Sequence, residues 1–220
     1  MSLEYLIGVD LGQAHDYTAL TVLERHTRPV GEGKWRGRKF IPPKEESTYQ
    51  ARHLERFELG TPYPQQVERV KELVIATRRI RDPKTGEAAR VRLVVDQTGV
   101  GRPVVDMLRA ANLRDLTAVT IHGGDQTIRD GNAYRVPKRE LVSVLQVLLQ
   151  TKRLEVAAAL PLAQTLQREM LAFKVEISKS GHDTYGNDWR ENPHDDLVLS
   201  VALAAWAGEK IARPSSRRYV

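Results

Sequence analysis

Tyr5-Leu-Ile-Gly-Val-Asp10-Leu-Gly12 is the stretch whose reading decides the fold. It is a short apolar run that ends in an acid and then meets a glycine, the pattern of a buried strand that delivers a polar side chain to the end of a sheet. A second β-rich run, Tyr17 to Leu23, follows at once, so the two predict a hairpin with Asp10 at its mouth. The same punctuation recurs far along the chain. Val91 to Val95 reads as a short buried strand ending in Asp96, and Gly99, Gly101 and Pro103 then lead into a helix reaching about Ala111.

Working outward, Arg28 to Lys39 is rich in glycine and basic residues, which suits a loop or hairpin extension, and Thr48 to Leu59 suits a third, partly exposed strand. Val67, Val70 and Val74 recur at helical spacing between Pro64 and Ile80, and the cluster Asp82 to Gly86 ends that helix. Leu116 to Ile121 is a further strand closing on Gly123 and Gly124. Pro137 to Gln150 and Leu162 to Phe173 read as helices with a short strand, Leu154 to Val156, between them. Lys174 to Ile177 and the polar stretch Ser178 to Asp188 suggest a flap or hairpin. Asn192 and Pro193 suit a cap and first turn for a final apolar helix, Asp195 to Ile211. The succession of three strands, helix, strand, helix, strand and then helices describes an α/β protein. Its length of 220 residues fits a single domain with its core over about 4–208, followed by a basic tail over 212–220.

Composition narrows the chemistry. There is no cysteine, which excludes disulfides, thiolate metal sites and cysteine nucleophiles together and suits a reducing cytoplasm. The apolar run at Leu6 to Val9 is far too short for a signal segment or a membrane span. Thirty-four Lys and Arg against 28 Asp and Glu leave a net charge of +6, compatible with a polyanionic partner or with a merely solvated basic surface.

Two strands that end in carboxylates bring acids to one sheet edge, and His194-Asp195-Asp196 opens a helix apolar enough to pack on that sheet. Each acid alone has a structural reading. Asp10 or Asp96 can bond its own turn, and Asp195 can complement a helix dipole. Together they match what hard divalent cations need, several carboxylate oxygens from separate segments. Asp16, six residues after Asp10, shares the hairpin mouth and is a candidate auxiliary ligand. His194 is a candidate for orienting a carboxylate or relaying a proton. Lys34, Arg36, Arg38 and Lys39 around Trp35, together with Lys138, Arg139 and Lys179, are candidate phosphate contacts, and Arg78, Arg79 and Arg81 form a second basic cluster.

Four segments carry a resemblance that goes beyond spacing: Tyr5 to Gly12, Val94-Val-Asp96-Gln-Thr-Gly-Val-Gly101, Val136-Pro-Lys-Arg-Glu-Leu141, and His194-Asp-Asp-Leu-Val-Leu-Ser-Val-Ala202. Over about residues 4–208 the chain resembles the nuclease domain of viral large terminase subunits, the third motif being the most specific and the first the least. The resemblance implies a ribonuclease H-like mixed sheet, three antiparallel strands then parallel ones, flanked by helices and related to Holliday-junction resolvases. It implies an endonuclease that cuts double-stranded DNA by a two-metal mechanism with Mg²⁺ or Mn²⁺. Asp10, Asp96, Asp195 and Asp196 would be the catalytic metal ligands, Asp16 an auxiliary, and Ser178 to Asp188 a DNA-facing hairpin. It also implies partners, namely an ATPase motor domain, a small terminase subunit and a portal protein, and a host-cytoplasmic setting.

The chain contains no Gly-x-x-x-x-Gly-Lys-Ser/Thr phosphate loop, so the resemblance is to the nuclease alone. Two other readings share the first motif. A resolvase or transposase-like nuclease would use the same acids on other DNA structures. A phosphotransferase of the actin and sugar-kinase type would need a second Asp-Gly hairpin, which the sequence lacks.

Overall fold

A computed structural model describes residues 2–12, 16–99, 101–113, 116–172 and 195–211. Strands β1 (Ser2–Asp10), β2 (Ala19–Val30), β3 (Lys34–Arg36), β4 (Lys39–Ile41) and β5 (Lys44–Arg56) come first. Helix α1 (Tyr63–Arg78), β6 (Arg90–Asp96), α2 (Gly101–Ala110) and β7 (Leu116–His122) follow. The rest comprises β8 (Ile128–Asp130), β9 (Ala133–Pro137), α3 (Lys138–Gln150), β10 (Leu154–Val156), α4 (Ala163–Ala172) and α5 (Asp196–Lys210). Eight strands form one sheet in the order β10-β5-β2-β1-β6-β7-β9-β8, and β3 pairs with β4 alone. Strands β5, β2 and β1 run antiparallel, whereas β1, β6, β7 and β9 run parallel. This is the expected mixed sheet.

Alternation along β1 assigns the two faces. Tyr5, Ile7 and Val9 point into a core built with Val67, Val70 and Val74 of α1 and Val104, Val105 and Leu108 of α2. Leu6 points the other way, into a core shared with α3, α4 and α5. With a side-chain period of two, Gly8 and Asp10 must lie on the α5 face with Leu6. Helix α5 is buried on every side from Asp196 to Gly208, as a sequence apolar but for Asp196 and Ser200 requires.

Two glycines let α5 lie unusually close to the sheet. A Cβ on Gly8 would stand 2.0 Å from the carbonyl oxygen of Ser200, and one on Gly208 would meet Leu6 and Tyr49 at 2.7 Å. Leu6 therefore sits by residue 208 and Gly8 by residue 200, so α5 runs antiparallel to β1. Asp10 lies two residues beyond Gly8, about 6.6 Å along the strand. Asp196 lies four residues before Ser200, about 6 Å along the helix. The two acids thus finish at the same level, one on the sheet and one on the helix above it. Thr21 of β2 fixes the level further by a 2.6 Å hydrogen bond between its hydroxyl and that of Ser200.

At the other end of α5, Arg92 donates to the carbonyl oxygens of Ala207 (3.2 Å) and Ile211 (3.3 Å). It also pairs with Glu4, which Arg25 contacts as well. A buried ionic cluster thus satisfies the last carbonyls of the helix.

Of the two readings open for Arg28 to Lys39, loop or hairpin extension, the structure has the second: β2 continues to Val30 and the β3–β4 hairpin follows. The sequence reading differs from the structure in two places. Strands β8 and β9 were not expected, because β8 is exposed throughout and β9 buries only Val136 and Pro137, so neither carries a usable alternation. Helix α5 begins at Asp196 with Asp195 as its cap. The expected flap at 178–188, the Asn192-Pro193 cap and the basic tail at 212–220 lie outside the described residues. No helix among the described residues is long and apolar enough to cross a membrane.

Candidate active site

Strand register assembles a row of residues across the sheet end. Asp10 is opposite Ala19 and Ala19 is opposite Arg56. Val9 aligns with Val95 in the parallel pair, which brings Asp10 and Asp96 to neighbouring positions one step on, on strands about 4.8 Å apart. The row reads Arg56, Ala19, Asp10, Asp96 across four adjacent strands, all on the α5 face, and Asp196 descends on it from the helix. Asp10, Asp96 and Asp196 are all buried.

Each acid has its own supports. One oxygen of Asp96, Oδ1, accepts from the Thr98 backbone N–H at 2.8 Å and from the Thr98 hydroxyl, and that hydroxyl accepts from the Ile121 N–H at 2.8 Å. The turn role open to Asp96 is thus real, and it engages only one of the two oxygens while fixing the carboxylate plane. Asp10 lies close enough for the two carboxyls to act on each other. Asp195 Oδ2 accepts from the Lys138 ammonium at 2.9 Å. Asp196 Oδ2 lies 3.5 Å from Arg56, whose guanidinium sits over the Tyr17 ring at 4.6 Å.

The electrostatics show how crowded the acids are. Burial, then the charges of Asp96, Asp196 and Asp195, push the Asp10 carboxyl well above the usual range, against the pull of Lys138. Burial likewise raises Asp96, opposed by the Thr98 hydrogen bonds. Burial raises Asp196 to about 7; Arg56 opposes this, and Asp195, Glu169 and Asp16 add to it. Acids distant in sequence therefore sense one another as charges, in a site short of positive charge.

The sequence-derived candidates separate into three groups. Asp10, Asp96, Asp195, Asp196 and Lys138 come together, and Asp16 is close enough to act on Asp196. Arg139 sits beside Lys138 on the first turn of α3 and pairs with Asp125. Lys34, Arg36 and Arg38, with Lys39 next to them in sequence, belong to the β3–β4 hairpin, beyond the end of β2 remote from Asp10. Eleven residues of β2 separate that end from Ala19, roughly 35 Å of strand. Lys179 and His194 lie outside the described residues.

Four residues of this neighbourhood went unremarked in the sequence. Thr98 orients Asp96, and Arg56 and Glu169 bracket Asp196. His122 lines a cavity of about 310 Å³ with Asp96, Thr98, Ile121, Lys138 and Leu199. Its Nδ1 accepts from the Gly124 N–H at 2.9 Å, which places its proton on Nε2. The one legible signal among the four was Glu169. It falls on the apolar stripe Leu162, Leu166, Met170, where a charge needs a partner.

The donor set can be weighed against a metal. All the converging ligands are carboxylate oxygens, the donors that hard divalent cations prefer, and buried like charges are what a dication offsets. Among the described residues, no three His, Asp or Glu side chains stand close enough to form a closed metal nest. The residues fit a hard cation in kind and in charge, although in this arrangement Asp195 and Asp196 are turned to Lys138 and Arg56.

Three solved structures resemble the chain. The large terminase nuclease from thermophilic phage G20c matches with a TM-score of 0.52 and 22% identity, over 92% of this chain and 81% of that one. The nuclease domain of the g2p large terminase from bacteriophage SPP1, with bound Mn, gives 0.49 and 10% over 94% and 86%. The human cytomegalovirus terminase nuclease domain, soaked with Mn, gives 0.49 and 11% over 96% and 86%. No protein-family model and no curated protein sequence matches the chain. The likeness to the G20c nuclease establishes the fold, which is the ribonuclease H-like arrangement expected from the sequence.

Proposed function

We propose that this chain is a metal-dependent endonuclease that hydrolyses phosphodiester bonds of double-stranded DNA, in the manner of the nuclease that ends viral genome packaging. The observation that carries the proposal is the meeting of Asp10, Asp96, Asp195 and Asp196, from two strands and a helix, at one sheet end. The fold shared with a terminase nuclease supports it. In this reading Asp10, Asp96 and Asp196 hold two Mg²⁺ or Mn²⁺ ions, with Asp195 and Asp16 at the margin. Bound there, such a pair supplies an activated water and stabilises the leaving oxygen.

The chain's own residues do the rest. Thr98 keeps Asp96 in one orientation. Lys138, on the wall of the cavity beside Asp96, holds Asp195 and offers an ammonium to a phosphate oxygen. His122 lines the same wall, with its Nε2 buried behind it. Backbone phosphates rather than base edges provide the affinity, with Arg139 and the remote β3–β4 hairpin as further contacts. The motor domain, small subunit and portal are partners by analogy with terminases, and a reducing host cytoplasm suits a chain without cysteine.

The test is cleavage of supercoiled plasmid with Mn²⁺ or Mg²⁺, beside EDTA and Asp96→Ala controls. Metal-dependent nicking lost in the variant is the expected result, and cleavage that survives in Asp96→Ala sinks the assignment. A four-way junction cut in preference to linear duplex would move the reading to a resolvase.

A further inference from the structure

The start of α5 raises a problem that the site must solve. The N–H groups of Leu197 and Val198, the second and third residues of the helix, are those that an acid at a helix start ordinarily accepts. Two acids stand there, Asp195 and Asp196, and either could be drawn into capping. Asp195 makes no side-chain cap bond. Instead, a buried glutamate from another helix takes both donors: Glu169 Oε2 accepts from Leu197 N–H at 3.0 Å and from Val198 N–H at 3.2 Å. Its other oxygen, Oε1, accepts from Arg56 Nη2, the same nitrogen that lies 3.5 Å from Asp196 Oδ2.

We infer that Glu169 of α4, acting with Arg56 of β5, is a positioning residue for the acid site: it caps α5 in place of the site's own aspartates and so keeps both carboxylates for metal. The inference rests on the metal-site reading above. A carboxylate on the first N–H groups of a helix also complements its dipole, so one side chain fixes both the helix end and its polarity. Arg56 joins the two functions. It is tethered by Glu169, seated on the Tyr17 ring, and holds the Asp196 carboxylate from the side opposite Asp96, because the register Arg56–Ala19–Asp10 places it two strands away from Asp10. With Glu169 truncated, the bare N–H groups of Leu197 and Val198 would recruit Asp195, which would then be lost to the site.

The test uses the unaltered chain, Glu169→Ala and Glu169→Gln, with two readouts: Mn²⁺ affinity by calorimetry and backbone amide hydrogen exchange at Leu197 and Val198. Glu169→Ala is expected to weaken Mn²⁺ binding by about 10–100-fold, the usual cost of losing an orienting partner, and to speed exchange at both amides. Glu169→Gln retains an oxygen able to accept both backbone bonds but turns an NH2 group toward Arg56, so it is expected to keep both amides protected and to lose less Mn²⁺ affinity than Glu169→Ala. Wild-type Mn²⁺ affinity in Glu169→Ala overturns the inference and leaves the nuclease reading standing. So does Glu169→Gln binding as weakly as Glu169→Ala with its amides protected. Should Glu169→Ala not fold, Glu169→Gln alone decides: a loss of Mn²⁺ affinity of about tenfold or more with both amides still protected refutes capping as the role. Absence of Mn²⁺ binding by the unaltered chain would remove the metal-site reading and this inference together.

Discussion

Asp196→Asn offers a measurement in which the acid site announces itself through stability rather than activity. In the fold this carboxyl titrates at about 7, raised from 3.8 by burial, with Asp195, Glu169 and Asp16 adding to the shift and Arg56 opposing it. At about 1.36 kcal/mol per pH unit, a rise of about three units corresponds to at most about 4 kcal/mol. Below pH 4 the group is neutral whether the chain is folded or not, and it contributes nothing. Between pH 4 and 7 the unfolded chain gives up the proton while the fold keeps it, so stability falls as pH rises, and the loss is complete above pH 7. Asparagine is neutral throughout and escapes that loss.

In EDTA at pH 8, Asp196→Asn should therefore be more stable than the unaltered chain by up to about 4 kcal/mol. That is about 8–16 °C in Tm for a domain of this size. The advantage should shrink to nothing by pH 4. The removal of one charge also relieves Asp10, whose own carboxyl Asp196 pushes upward, so the measured gain should not fall short on that account. Saturating Mn²⁺ should narrow the gap, because the intact site gains about 2.7 kcal/mol at a hundredfold excess over Kd and the variant gains little. Thermal melts at pH 4, 6 and 8, with EDTA and with Mn²⁺, check all of this. A variant less stable than the parent at pH 8 in EDTA, or a difference independent of pH, would refute the claim that Asp196 is held there at an energetic cost.

Other expectations follow from named contacts. Gly8→Ala places a Cβ 2.0 Å from the Ser200 carbonyl oxygen, so α5 must lift from β1. A destabilisation above about 3 kcal/mol in urea melts is expected, and a near-neutral effect would mean that the helix is not pinned there. Lys138→Ala should leave the fold intact and cut the rate of plasmid nicking at least about tenfold, since it removes the ammonium that faces both Asp195 and the cavity. Nicking at the parent rate would make Lys138 a structural partner of Asp195 only. Reversal of charge at Lys34, Arg36 and Arg38 together should weaken duplex binding and flatten its dependence on salt by about one unit of slope per lost phosphate contact. It should leave Mn²⁺ affinity untouched, because the hairpin lies roughly 35 Å of strand from the acids. An unchanged salt slope in anisotropy titrations would remove the hairpin from the DNA-binding surface.

Some of this molecule was legible before any coordinates, for a physical reason. The central strands are short, apolar and buried on both faces, so β1 and β6 each leave a clear run that stops at an acid, and α5 is apolar on every side. Backbone periodicity and burial impose those patterns directly on composition. What stayed hidden was set by pairing between distant segments. Strands β8 and β9 exist because β9 finds β7, not because of any pattern of their own. The basic residues of the β3–β4 hairpin look like neighbours of the site when charge alone is read, yet the length of β2 carries them to the far end of the sheet.

The candidate site divides along the same line. Its carboxylates could be named because hard-cation chemistry restricts the donors to oxygen and strand ends restrict the places. The residues that make those carboxylates usable, Thr98, Arg56, Glu169 and Lys138 in its pairing with Asp195, act through contacts between chain positions 2, 140, 113 and 57 residues apart. Only the first of these separations falls within a motif. The acids of such a site can be read from one strand or helix at a time. The balance of charge that sets their protonation, and so their readiness for metal, belongs to the row Arg56, Ala19, Asp10, Asp96 and the helix above it, which exists only once four strands have found their register.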